Sequence, residues 1–170
     1  PVTGGGAIDK LSQDGGLTLN SGANSFSGGL TVRARDKDWC KVNINASNAM
    51  GTGPVNLYGG TLGTSFQNPG GLIFYNTTTH TNPIFLFLDS PIFVGMTNNA
   101  TTAVTLNGPV SLGTNTLHLR GGGSGTVNGV ISGTGASALL KSDPATWTLS
   151  GANTFTGRVT VGGGVLKLGA

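Results

Sequence analysis

Apolar and polar residues alternate along this chain in runs of three to five. Val42-Asn43-Ile44, Val55-Asn56-Leu57, Val104-Thr105-Leu106, Val110-Ser111-Leu112 and Leu117-His118-Leu119 each set two apolar side chains two positions apart. That is the period of a strand with one buried face, so each triplet predicts a short strand whose middle residue points outward. His118 is placed in solvent by this rule. Glycine-rich punctuation separates the triplets: Gly-Thr-Gly-Pro at 51–54, Tyr-Gly-Gly at 58–60, Asn-Pro-Gly-Gly at 68–71 and Arg-Gly-Gly-Gly at 120–123. These supply tight reversals and positive φ.

Many short strands with frequent turns build either a sandwich or a solenoid. Strands this short suit the narrow faces of a coil. Asn recurs at positions 20, 24, 48, 56, 107, 115, 128 and 153, where stacked coils would align amides into hydrogen-bonded ladders. The third argument for a solenoid is an internal repeat. Residues 17–32 read LTLNSGANSFSGGLTV and residues 147–161 read WTLSGANTFTGRVTV. The alignment pairs Gly22 with Gly151, Asn24 with Asn153, Phe26 with Phe155 and Gly28 with Gly157, about 129 residues apart. Upstream, Gly6-Ala7 and Lys10 correspond to Gly135-Ala136 and Lys141. One period is far longer than one coil, so it contains several. The expected organisation is a single β-solenoid domain over 1–170, with repeat copies at about 6–32 and 135–161.

The motif residues have structural tasks. Leu17 and Leu19, like Trp147 and Leu149, share one side of a strand and are assigned to the core. Gly22 and Gly151 open a turn, and the amides of Asn24 and Asn153 can satisfy its backbone groups. Phe26 and Phe155, two residues before a glycine, fold back into the core at a corner.

Thr148-Leu149-Ser150-Gly151-Ala152-Asn153-Thr154-Phe155-Thr156-Gly157, with Val159-Thr160-Val161 and Gly164-Val165-Leu166 after it, closely resembles the autotransporter-associated β-strand repeat of bacterial passenger domains. Val130 to Gly135, Ala49 to Val55 and Gly59-Gly60-Thr61-Leu62 resemble its flanks. The resemblance implies an all-β, right-handed parallel β-helix (β-solenoid) within a large secreted or surface-displayed bacterial protein. It brings no catalytic residues with it.

Composition agrees with a folded all-β chain. Gly contributes 31 residues and Pro 7, yet only 9% of residues are charged and 36% are hydrophobic, so there is apolar surface to bury and little repulsion against burying it. The acidic residues are six Asp, at 9, 14, 36, 38, 89 and 143, without any Glu, which removes the usual material of exposed helices. A net charge of +3 is spread thinly, with no run dense enough to track phosphates, so nucleic acid is excluded as a partner. Cys40, the single cysteine, forms no internal disulfide and reads as a buried thiol. No apolar run of ~18 residues could span a membrane as a helix. Nothing from Pro1 onward reads as a signal peptide, so the expectation is a mature piece or an excised segment, with the export signal upstream if the protein is secreted.

Chemistry finds little support. Glycoside hydrolysis requires two carboxylates about 5 to 9.5 Å apart, and Asp36 with Asp38 sits in a mixed-charge stretch better explained as a coil edge. His80 lies in a Thr-rich run, and neither histidine has a spaced partner for metal or a triad. No cofactor is implied. Ice binding would require Thr-x-Thr at a fixed coil period, which Thr77-Thr78-Thr79 and Thr101-Thr102 do not supply. Sequons at Asn45, Asn76 and Asn99 are ordinary in so Thr- and Asn-rich a chain.

Two segments break the texture. Residues 33–41, RARDKDWCK, gather four of the nine basic residues, and residues 83–96, PIFLFLDSPIFVGM, hold two dense apolar runs that suggest strands buried on both faces. Arg33, Arg35, Lys37, Trp39, Phe85, Phe87 and Phe93 are accordingly the candidate interface residues. The functional expectation is a non-enzymatic extracellular or cell-surface rod or fibre subunit that self-associates head to tail. An adhesin segment binding glycan or a host surface is the alternative, and a polysaccharide-active β-helix enzyme is the third reading.

Overall fold

A computed structural model of the chain describes residues 1–11, 16–34, 40–59, 71–95 and 100–169. Among them run β1 (Ile8–Leu11), β2 (Leu17–Leu19), β3 (Leu30–Arg33), β4 (Lys41–Ile44), β5 (Val55–Tyr58), β6 (Gly71–Phe74), β7 (Thr78–His80), β8 (Ile84–Leu88) and β9 (Ser90–Val94). They continue with β10 (Ala103–Leu106), β11 (Val110–Ser111), β12 (Thr116–Gly121), β13 (Ser124–Val127), β14 (Ile131–Ser132), β15 (Ala138–Lys141), β16 (Thr146–Leu149), β17 (Val159–Val161) and β18 (Val165–Leu168). No helix occurs among the described residues, and so none that could cross a membrane.

Every pairing is parallel, and the strands sort into three sheets that wrap one axis. The first face runs β1-β3-β5-β8-β11-β14, the second β2-β4-β6-β9-β12-β15-β17 and the third β7-β10-β13-β16-β18. The chain visits first, second and third faces in turn, which makes it a parallel β-solenoid with the right-handed sense that strand twist imposes on parallel crossovers.

The alternation read from the sequence builds the core as columns of stacked side chains. On the first face Leu30, Val55, Ile84, Val110 and Ile131 lie one above another. On the second, Val42, Leu72, Ile92 and Leu119 do the same. All nine are essentially inaccessible to water, and full burial of such a side chain stabilises by about 1.5–3 kcal/mol. Polar side chains form their own ladders outside. Asn45 Nδ2 donates to Asn20 Oδ1 at 2.7 Å and Asn128 Nδ2 to Asn107 Oδ1 at 2.8 Å, between coils 25 and 21 residues apart.

Two expectations are corrected. His118 is buried, because side chains stacked above and below enclose an outward position in the middle of a sheet: Pro91 and Leu140 are its register neighbours, and Ser142 Oγ lies 2.9 Å from its Nε2. The apolar run at 83–96 is not buried on both faces throughout. In β9 most side chains are covered, whereas Phe85, Phe87 and Leu88 of β8 are exposed, since β11 beside it is a two-residue strand.

Candidate functional site

The two motif copies occupy different faces. In the first, β2 lies on the second face, residues 20–29 arch across the third-face position without forming a strand, and β3 resumes on the first face. In the second, β16 lies on the third face, residues 150–158 arch across the first-face position, and β17 resumes on the second. The motif is rotated by one face between copies.

Its local chemistry is unchanged by that rotation. Asn24 Oδ1 accepts from the Val2 N–H at 2.9 Å, and Asn153 Oδ1 accepts from the Ile131 N–H at 2.9 Å. Ser25 N–H donates to the Val2 carbonyl and Thr154 N–H to the Ile131 carbonyl, each at 2.9 Å. An asparagine is needed because one short side chain must reach the backbone of the preceding coil. Gly28 passes so close to residues 5–7 that a Cβ would lie 2.8 Å from their backbone, and Gly157 has no room over Ser137.

Above the first arch lies residues 45–54. Asn24 Nδ2 donates to the Ala49 carbonyl at 2.8 Å and Thr52 N–H to the Phe26 carbonyl at 3.0 Å. Gly51, at φ +70°, crosses directly over Phe26, where a Cβ would sit 2.8 Å from the ring. Phe26 is 1% exposed. Phe155 and Asn153 are half-buried, and no hydrogen bond among the described residues joins their arch to a following segment.

Of the candidate interface residues, Arg35, Lys37 and Trp39 lie outside the described residues. Arg33, Phe85 and Phe87 come together on the outer side of the first face, joined by Tyr58, which the sequence reading did not select. The Arg33 guanidinium lies 4.1 Å from the Tyr58 ring centroid, and Tyr58 stacks on Phe87 at 4.6 Å with 6° between planes. A register shift between Leu57 and Tyr58 aligns these rings. Phe93 is elsewhere, on the second face beneath the Arg120 guanidinium at 4.8 Å.

A buried polar corner near the second copy also escaped sequence reading. Arg120 grips Asp143 through Nε at 2.9 Å and Nη2 at 3.1 Å, and Gly121 N–H donates to the same carboxylate. Burial would raise the Asp143 carboxyl, but these bonds and the Arg120 charge outweigh it and hold the group below its ordinary range. Lys141 occupies a core column and donates to the carbonyls of Ser142, Asp143 and Gly163 at 2.7, 2.9 and 3.0 Å. Desolvation lowers its pKa, with Asp143 opposing. Burial pushes both His80 and His118 down to about 4, in His118 with help from Arg120 and Lys141 against Asp143. His80 packs on Phe74 at 5.1 Å, and neither of its ring nitrogens has a hydrogen bond. Asp89 accepts from the Thr116 N–H. His80 apart, these groups satisfy backbone and one another, and among the described residues no three metal-ligating side chains cluster.

Comparison with known proteins adds three findings. Residues 13–34 and 139–168 match the passenger-associated transport repeat. Over 163 residues the chain is 34% identical to the adhesin BmaC autotransporter of Brucella suis biovar 1 (strain 1330), covering 96% of this chain and 4% of that protein. No solved structure matches the chain.

Proposed function

We propose that this chain, which carries two matches to the passenger-associated transport repeat, serves as a non-enzymatic rod segment of a bacterial passenger, outside the cell or on its surface. The observation that carries this reading is the use made of the motif. Asn24 and Asn153 spend their amides on adjacent coils, Phe26 fills the core, and the glycines mark close backbone crossings. Nothing in the repeat is left for a substrate. The charged groups at the Arg120–Asp143 corner hold turns together in the same way.

A seven-stranded face at about 4.8 Å per strand makes a rod roughly 30 Å long. Replacing the segment within a displayed passenger by a short Gly/Ser linker should therefore shorten the projection in electron micrographs by about that length. An unchanged length would sink the rod reading.

Adhesion is the second reading, favoured by one observation. The chain exposes a column of Arg33, Tyr58 and Phe87 with Phe85 beside it, on a face whose other outward, half-buried residues include Asn56 and Ser111. Aromatic edges among hydroxyls and amides suit a saccharide better than a dry protein interface. The relative bears the name adhesin. Retention of the purified chain on a glycan array, abolished by Tyr58→Ser and Phe87→Ser, is the expected result under this reading. Retention that both variants keep would place binding elsewhere.

A further inference from the structure

One outward surface of the solenoid is uniform in chemistry. On the third face Thr79, Thr105, Thr126 and Thr148 occupy the same register position in β7, β10, β13 and β16. Two residues before each of them stand Thr77, Ala103, Ser124 and Thr146, and the Ala103 N–H donates to Thr77 Oγ1. Each coil thus presents a pair of hydroxyls, broken only at Ala103, while Val104, Leu106, Val127, Trp147 and Leu149 between them fill the core. The coils differ in length, 26 residues from Thr77 to Ala103 and 21 from Asn107 to Asn128, so no fixed period marks this array in the sequence.

Strand propensity alone does not account for the uniformity. The matching outward column of the second face obeys the same strand geometry, yet it runs Thr18, Asn43, Ile73, Phe93 and Arg120. The third-face strands also pair without a register shift, unlike β5 and β8 on the first face. Neighbouring threonines therefore lie about 4.8 Å apart from strand to strand, and the two members of a pair about 6.6 Å apart along it. β-Branching restricts χ1, so hydroxyl and methyl are held in place before anything binds. Thr79 is exposed and the other three are half-buried, and none of their hydroxyls bonds to another group among the described residues. The column meets its first charge at Lys167 of β18.

The outward residues of β7, β10, β13 and β16 include no charge, so an ionic partner finds no complement there. They also include no aromatic or large aliphatic side chain of the kind that anchors a protein interface or a sugar ring. Each threonine offers one donor, acceptor lone pairs and a methyl, repeated at fixed spacings in two directions. The complement of such a surface is a neutral, repeating lattice of donors and acceptors, and water in ice is that lattice. Its molecules are already ordered, so the face does not bear the cost of immobilising them. We propose that the third face binds ice, with the hydroxyls of Thr79, Thr105, Thr126 and Thr148 entering the water lattice and their methyls lying against it. This site is separate from the aromatic column, which belongs to the first face.

Partition into growing ice tests this. A dilute solution of the full chain is frozen slowly from a cold surface, and the chain is measured in the ice and in the remaining liquid. The wild-type chain should be enriched in the ice. Thr105→Lys with Thr126→Lys, at the centre of the array, should lose that enrichment. Thr126→Tyr, uncharged and a good strand former, should lose it by bulk alone. Thr160→Lys on the second face adds charge away from the array and should partition as the wild type does. Circular dichroism checks that each variant folds. A wild-type chain left in the liquid, enrichment that either third-face variant keeps, or an equal loss in Thr160→Lys overturns the proposal. Exclusion from ice together with retention on crystalline cellulose, abolished by the third-face variants, would overturn it in favour of a crystalline polysaccharide. The rod reading is decided separately, by projection length in micrographs.

Discussion

The first and second motif copies make the same bonds to the coil beneath them and differ in what lies above. Val2 and Ile131 are held by Asn24 and Asn153 at identical distances, although the copies sit on different faces of the solenoid. Above Phe26 come Ala49 to Gly53, whereas among the described residues no hydrogen bond joins the Phe155 arch to a following segment. Local conformation therefore follows from the motif and its lower neighbour, while the energy of the motif residues depends on completing the stack. A repeat protein in which each unit contacts its neighbours should behave this way.

The sharpest way to break the comparison is to truncate the two phenylalanines. Phe26→Ala leaves a cavity closed on every side and should cost about 3–5 kcal/mol, enough to unfold much of a marginally stable chain. Phe155→Ala opens onto solvent and should cost about 1–2 kcal/mol, because its site loses less buried area. Chemical denaturation of both variants measures the gap. Equal losses would mean that the two phenylalanines are covered alike in solution.

Next in size are the asparagines. Asn24→Ala strands the Val2 N–H and the Ala49 carbonyl at a buried site and is expected to cost about 2–3 kcal/mol. Asn153→Ala strands one N–H near the surface and should cost about 1 kcal/mol. Amide exchange should locate the loss, with Val2 losing protection in the first variant and Ile131 in the second.

The all-β solenoid and its short strands were legible in the sequence because they depend on period-two alternation and on turn chemistry within ten residues. The one-face rotation was not, since it requires the length of every coil between the copies, and those lengths vary. Cross-coil chemistry was hidden for the same reason. Tyr58 meets Phe87 across 29 positions, and Arg120 meets Asp143 across 23. His118 was misplaced because alternation within one strand says nothing of Pro91 and Leu140 on the strands beside it.

Acid tests the coils next to each copy. His80 stands in the coil that covers residues 45–54, and His118 beside the Asp143 corner of the second copy. Both have folded pKa values of about 4, below the ordinary 6.5. The unfolded chain therefore binds more protons between these values, so stability is complete above about pH 6.5 and falls as pH drops toward 4. Each imidazole should account for roughly 3 kcal/mol. His80→Leu, which removes two unpaired nitrogens, should be neutral or stabilising at pH 7 and should flatten its share of the acid dependence. An acid limb unchanged in that variant would assign the whole effect to His118.

The smallest effect belongs to the aromatic column, and its smallness is informative. Phe87→Ser removes a half-exposed ring whose main contact is Tyr58, so denaturation should move by less than about 1 kcal/mol. The interior Phe26 is indispensable to the stack, whereas Phe87 on the first face contributes little to it and has no folding reason to be apolar. A loss comparable to that of Phe155→Ala would make the column part of the scaffold and remove the structural ground for adhesion. A small loss leaves that face free to bind, at a place where the motif itself has no residue to offer.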